Sequence, residues 1–286
     1  VAGRRLALAG VLAAAALAAP GAPAAEARAK PQRIMSLNMC TDILVLQLVP
    51  KSRIASVTYL ARTAVEAIDP TLDDGVTVNQ GAAEEVLAQK PDLLITGDMS
   101  TPMTRRLAKL AGVPLVEVKS AQTFADIRAV TRQVGAAVGE PARAEALIAR
   151  MDAELADLAA HPPPRRIRVA AWSGDTVPGK ATLANAIIEA AGGVNIAANL
   201  DPARANSFGI EDLLAARPEV LMYGQGAAGR PSVLSGQTGH AAVRKLWAGR
   251  RIGYPEALYT CGAPQSARAA IDLRHALSAV AAGRAP

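Results

Sequence analysis

Aromatic side chains are scarce in this chain: two Trp, four Tyr and two Phe among 286 residues. The core must therefore be built mostly from Ala, Leu, Val and Ile, and each ring is worth placing. Histidine is rarer still. The three, His161, His240 and His275, are scattered and fall away from the expected strand ends. That pattern gives no His-ligated zinc or manganese site, and no resident metal is expected. No G-x-S-x-G elbow and no G-x-G-x-x-G loop occurs, so hydrolase and dinucleotide chemistry are not indicated. There is no block of Lys or Arg, and the net charge is a mild +6. Arg165, Arg166 and Arg168 form a short cluster that reads as a solvated edge, and nucleic-acid binding is not expected. After Ala19 no apolar run approaches membrane-spanning length.

What is present is a globular composition, 51% hydrophobic and 20% charged. Residues 1–27 read as a secretory signal peptide: Arg4 and Arg5, then an apolar stretch over residues 6–19, then small residues. Ala22-Pro23-Ala24 and Ala25-Glu26-Ala27 both suit cleavage. Export is the expectation.

One stretch occurs twice. Residues 84–96 read EEVLAQKPDLLIT and residues 211–223 read EDLLAARPEVLMY, 127 positions apart. Each copy opens on an acidic pair, continues as a short apolar helical turn, stops at Lys-Pro-Asp or Arg-Pro-Glu, and ends in an apolar run. A helix that stops at Pro and hands over to a buried strand gives this pattern. The offset is too long for a solenoid and predicts two similar α/β lobes.

Strands are predicted over residues 33–37, 53–57, 93–96 and 114–118 in the first half, and over 167–172, 220–223 and 251–254 in the second. Between the halves lies a long helical region. Its second piece, residues 142–160, is stopped by His161-Pro162-Pro163-Pro164. The first helix is expected to begin at Thr41-Asp42. The division expected is residues 28–139, a linking stretch 140–164, and residues 165–286.

In open α/β sheets, ligands bind beyond the carboxyl ends of the strands. Tyr59, Trp172 and Tyr223 are predicted at such ends, and Tyr259 follows the last extended stretch. These rings are expected as apolar walls, with Gln80, Asp98, Ser173 and Gln225 as hydrogen-bonding partners. Asn38, Met39, Cys40 and Met99 fall on the same side. Arg62 or Arg230 would serve an anionic ligand. Residues 174–181, GDTVPGKA, resemble a phosphate-binding loop. However, Ala181 stands where a magnesium-holding hydroxyl is needed and Pro178 lacks an N–H, so an NTPase is a remote alternative.

Cys40 and Cys261, the two cysteines, are predicted one per lobe on the ligand-facing side. Three readings stay open. They form a disulfide, which export favours; they are thiols facing a soft metal with Met39 and Met99, a secreted metal or redox protein; or they are unpaired.

The chain resembles the periplasmic substrate-binding proteins of ABC importers for cobalamin, ferric siderophores and haem. The resemblance spans residues 31–277. It is carried by RIMSLNMCTDIL near the start, the two repeated stretches, and the helix before Pro162. It implies two Rossmann-like α/β lobes joined by one long helix, with the ligand cleft between them. It also implies a monomeric periplasmic receptor without enzymatic activity or cofactor, and a metal-chelate ligand. Finally, it implies an ABC permease dimer that docks against Glu84 and Glu211. Two loops depart from the family pattern, Asn38-Met39-Cys40-Thr41-Asp42 and Tyr259-Thr260-Cys261-Gly262-Ala263-Pro264, both at the expected ligand site.

Overall fold

The computed structural model describes residues 29–98, 101–225 and 239–286. The expected signal segment 1–27, Met99 and Arg230 lie outside the described residues.

The first half alternates strand and helix. β1 (Ile34–Ser36) leads into α1 (Met39–Leu48), β2 (Ile54–Thr58), α2 (Ala61–Val65) and β3 (Val78–Asn79). α3 (Ala83–Gln89), β4 (Leu93–Gly97), α4 (Pro102–Ala111) and β5 (Leu115–Val118) complete it. The strands form one parallel sheet in the order β3-β2-β1-β4-β5. A parallel sheet covered on both faces needs continuous apolar strands. β1 and β4 are buried along their whole length, as this requires.

Two helices follow. α5 (Phe124–Ala137) opens on a capping box, in which Thr123 Oγ1 accepts the Asp126 N–H at 3.1 Å and the Asp126 carboxylate accepts the Thr123 N–H at 2.9 Å. Gly139, at φ +74°, makes the turn. Pro141 then opens α6 (Pro141–Ala160), a 20-residue helix about 30 Å long.

The second half repeats the alternation. β6 (Ile167–Ala171), α7 (Leu183–Ala190), β7 (Gly193–Asn195), α8 (Pro202–Ala205), α9 (Ile210–Ala216) and β8 (Val220–Gln225) come first. α10 (Ala241–Leu246), β9 (Arg251–Pro255), α11 (Glu256–Thr260) and α12 (Ser266–Ala281) finish the chain. Its parallel sheet runs β7-β6-β8-β9. The α/β class with two sheets is thus as expected.

The first helix differs from expectation at its start. α1 begins at Met39, because Asn38 rather than Thr41 is its cap. Asn38 Oδ1 accepts the Cys40 N–H at 2.9 Å, and Asn ranks above Thr in that role. Met39 and Cys40 therefore sit in a helical first turn, not in a loop.

The repeated stretches have the same local geometry. α3 and α9 both span seven residues and both end on a left-handed residue, Lys90 and Arg217, each at φ 46°. These are the non-glycine residues with positive φ among the described residues. Pro91 or Pro218 follows and prevents further helix. The acid after it clasps the start of a strand. The Asp92 carboxylate accepts the Gln32 and Arg33 N–H groups at 2.6 and 2.9 Å, and Glu219 accepts the Arg168 N–H at 3.0 Å. Arg33 and Arg168 then donate to the last carbonyls of the two helices, Gln89 O and Ala216 O, both at 2.6 Å. A cation suits a helix C-terminus.

A buried Arg holds each end of α6. At its start, Arg53 pairs with Glu140 at 2.5 Å and donates to Val138 O at 2.5 Å and Pro31 O at 2.7 Å. At its finish, Arg274 donates to Leu158 O (3.3 Å) and His161 O, and to Ala190 O (3.0 Å) and Ala191 O (2.6 Å) at the end of α7. These are helix-terminal carbonyls that no intrahelical N–H reaches. Arg274→Met is expected to cost roughly 3 kcal/mol in urea denaturation, since it leaves buried carbonyls without donors. A loss below about 1 kcal/mol would show that the carbonyls find other partners.

One apolar core runs through both sheets. It includes Ile34, Ile43 and Ile95, then Ile127 and Met151, then Ile167, Ile187 and Leu273. A second cluster lies around Trp172, Phe208 and Trp247, and a third around Met35, Val86 and Leu94.

Candidate functional site

In each sheet the strand order reverses beside the first strand, at β1/β4 and at β6/β8. A crevice is expected at the carboxyl ends of strands at such a point. In the first sheet it is there. Asn38 follows β1, Gly97 and Asp98 end β4, and Val118, Lys119 and Ser120 end β5. Together with Cys40, Thr41 and Leu44 of α1, they line a pocket. Thr260 and Gly262, from beyond the second sheet, close it. The enclosed space is only about 60 Å³, well below the roughly 300–1,000 Å³ of small-molecule sites, so it has room for a substituent of a ligand and opens to solvent above it.

Three features bring the two halves together here. Cys40 and Cys261 form a disulfide, with Cα atoms 4.8 Å apart. Gln47 and Gln265 exchange amide hydrogen bonds across the same seam. Gly262 approaches so closely that a Cβ there would lie 2.3 Å from Ala121 Cβ and 3.0 Å from Ile127 Cγ1. Only glycine permits that approach. The disulfide corrects two of the three sequence readings. The sulfurs are neither unpaired nor thiolate ligands, so the soft-metal alternative loses both of its thiolate donors.

The rim carries charge. Asp98 accepts the Ser120 N–H at 3.2 Å and the Ser120 hydroxyl at 3.0 Å, and the Ser120 backbone N–H foremost holds its carboxyl below the usual range. Lys119 stands beside it, exposed. Lys119 and Ser120 were not singled out from the sequence, whereas Thr260 and Gly262 belong to a loop expected at the ligand site. The strand-end rule that selects Asp98 after β4 would have found Lys119 and Ser120 after β5.

Behind the pocket lies a buried polar network. Asp42 of α1 is fully buried and accepts the Thr58 N–H at 3.2 Å and the Thr58 hydroxyl at 2.5 Å. Ser36 and Thr41 hydroxyls meet at 2.8 Å, and Asn79 Nδ2 donates to Ser36 O and Ser56 Oγ. Burial pushes the Asp42 carboxyl up to about 6, against the pull of hydrogen bonds from Ser36 and Thr58. Because the folded pKa lies above the unfolded one, the folded chain holds this proton more tightly. The resulting stability is complete below about pH 4 and is lost as pH rises through about 6. Asp42→Asn is therefore expected to melt higher than the parent protein at pH 7.5, by the equivalent of about 3 kcal/mol. The gain should shrink toward zero at pH 4. A gain independent of pH would contradict the assignment.

Several expected wall residues are elsewhere. Trp172 is fully buried, and its indole N–H donates to Phe208 O at 2.9 Å. The chain turns its ring under the second sheet, where a polar handle finds a carbonyl. Tyr259 lies in α11 rather than in a loop, 6% exposed, with its ring 4.4 Å from Tyr254. Burial pushes the Tyr254 phenol up to about 12 and the Tyr259 phenol higher still. Tyr223 is half-buried under the Arg251 guanidinium, 4.6 Å from the ring centre. The Gln225 side chain lies over Gly253. Ser173 bonds locally to the Thr176 hydroxyl at 2.5 Å. Arg62 is paired with Asp73 at 3.0 Å and Asp74 at 3.5 Å, so carboxylates of the chain already occupy it. Tyr59 is 56% exposed at the end of β2, and Gln80 is exposed one residue after β3; neither lines the pocket. Of the expected set, Asn38, Cys40 and Asp98 come together there, with Met39 packed on the core behind them.

The stretch resembling a phosphate loop is sewn down. Val177 is buried and its N–H donates to Ala205 O at 2.9 Å, while Asp175 O accepts from Phe208 N at 2.6 Å. These backbone groups form no cradle for phosphate.

A profile of periplasmic binding proteins matches residues 34–250. The chain belongs to the periplasmic binding protein family. It is a binding protein, not an enzyme. It is similar to a cobalamin-binding protein of Halobacterium salinarum, with 26% identity over 203 residues, 69% of this chain and 55% of that protein. The match thus spans about half the length of that curated relative. Among solved structures it is similar to RhuT, a periplasmic heme-binding protein from Roseiflexus sp. RS-1 in apo form. There the TM-score is 0.68 at 25% identity, covering 87% of this chain and 99% of that one. BtuF, the periplasmic vitamin B12 binding protein of Vibrio cholerae, shares the fold at TM-score 0.60 and 18% identity, covering 86% and 96%.

Proposed function

We propose that this binding protein is an exported, periplasmic receptor that captures a metal chelate beside the Cys40–Cys261 bond and delivers it to an ABC permease dimer. The observation that carries the reading is the pocket at the β1/β4 switch point, closed from the other sheet by Thr260 and Gly262. A corrinoid is the chelate favoured by the likeness to a cobalamin-binding protein. Haem or a ferric siderophore follows, given the likeness to a heme-binding one. Lys119 at the rim suits an acidic group on the chelate's edge, and the apolar floor of Leu44, Val118 and Val130 suits an apolar substituent that reaches in from the open mouth. The working units are residues 28–139 and 165–286 with 140–164 between them, acting as a monomer. The chelate is cargo, not cofactor.

Delivery requires a docking address. Glu84 and Glu211 open α3 and α9, one in each half, and both are exposed. Two carboxylates at matching places orient a partner that presents cations at two matching places.

Titration with aquocobalamin, haemin and a ferric hydroxamate, followed by visible absorption and calorimetry, tests the ligand class. One of them is expected to bind 1:1 with Kd at or below about 1 μM. Failure of all three would sink the reading.

A further inference from the structure

In each copy of the repeated helix one apolar residue turns inward and the next turns outward. Val86 is 1% exposed and Leu87 57%; Leu213 is 0% exposed and Leu214 43%. Each outward leucine lies three residues after a glutamate, Glu84 or Glu211, and shares its helix face. Ala88 and Ala215 extend that face, also exposed.

The acid next to each glutamate has a structural task. Glu85 accepts the Gln80 and Ala82 N–H groups, both at 2.9 Å, and Asp212 accepts the Gly209 N–H at 3.2 Å and pairs with Arg204. Glu84 and Glu211 form no ion pair among the described residues. A single exposed leucine is ordinary on a protein surface. Two at the same place in a repeat, each one turn from an acid with no ion pair among the described residues, call for a partner with two like seats.

We propose that Leu87 and Leu214 dock together with Glu84 and Glu211, each Glu–Leu pair entering an apolar seat with a cation at its edge on one half of the permease dimer. This rests on the delivery reading above and adds the apolar half of the contact. A second copy of this chain is the wrong occupant, because two such faces together would oppose carboxylate to carboxylate. The two residue types divide the work. Charge sets the rate and orientation of encounter and is screened by salt. Apolar burial sets how long the complex lasts.

The test is docking kinetics of the full chain on the permease complex in lipid nanodiscs, at low and high salt. Leu87→Ser/Leu214→Ser is expected to raise the dissociation rate roughly tenfold or more at either salt, with association within about twofold. Glu84→Gln/Glu211→Gln is expected to slow association and flatten its salt dependence. Melting temperatures should match the parent's, which separates lost contact from lost fold. If the glutamate variant weakens docking and the leucine variant does not change dissociation, this inference is overturned and the delivery reading stands. If the parent protein does not dock at all, both fall. If sedimentation shows the leucine variant losing self-association with docking unchanged, the patch belongs to a second copy and the inference is overturned.

Discussion

The Cys40→Ser/Cys261→Ser variant is expected to melt roughly 10–20 °C below the parent protein. The bond joins residues 221 apart in sequence. Closing a loop of that length removes about 5 kcal/mol of chain freedom from the unfolded state. The bond also has a local consequence. It ties the first turn of α1, which lines the pocket, to the end of α11, where Thr260 and Gly262 on either side of Cys261 close it. The variant should still fold, because the Gln47–Gln265 pair and the shared core remain. Ligand affinity should fall as the seam loosens. Calorimetry with and without reductant checks this, and the reduced parent should melt with the variant. Equal melting temperatures in all samples would mean that the bond stabilises nothing. Small-angle scattering adds a dynamic readout. With the bond intact, ligand should change the radius of gyration little, since α6, the disulfide and the glutamine pair all oppose separation of the two halves.

Reversing charge at both docking positions, Glu84→Lys/Glu211→Lys, is expected to reduce uptake in cells at least roughly hundredfold while ligand affinity stays unchanged. Like charges brought together at two contacts cost several kcal/mol in all. The fold should tolerate the change, because both side chains are exposed and the capping is done by Glu85 and Asp212. Each lysine near a helix start costs only about 0.3–1 kcal/mol through the helix dipole. Glu85→Gln is the matched control, expected to lower the melting temperature without an effect on docking. Uptake that survives the double reversal would remove the docking assignment. Lost ligand binding would mean that the docking faces and the pocket are coupled.

The repeated stretches made the fold legible. Lys90-Pro91 and Arg217-Pro218 cannot continue a helix, and the apolar runs after them can only be buried strands. The structure adds why an acid follows each proline, since Asp92 and Glu219 hold the neighbouring strand by its N–H groups. The site was legible only where position along a strand decides it, as at Asn38 and Asp98. It failed where the direction of a ring decides it. Trp172 stands just past a strand end, but nothing local says whether its ring faces the cleft or the core; a carbonyl at Phe208 and the Trp247 cluster settle that. Tyr259 was misplaced because α11 is a helix of five residues, too short for a periodic pattern. The partnership of Cys40 with Cys261 depends on how two distant segments meet, which spacing cannot encode.

The central claim is that a chelate binds over the open mouth of the pocket between Asn38, Ser120 and Thr260. Isothermal titration of the parent protein and of Ser120→Trp tests it most directly. Ser120 is exposed and lines the pocket, so an indole there fills the space without entering the core. The account expects 1:1 binding by the parent, at least roughly hundredfold weaker binding by the variant, and equal melting temperatures. Equal affinity in the two proteins would place the ligand elsewhere and contradict the account.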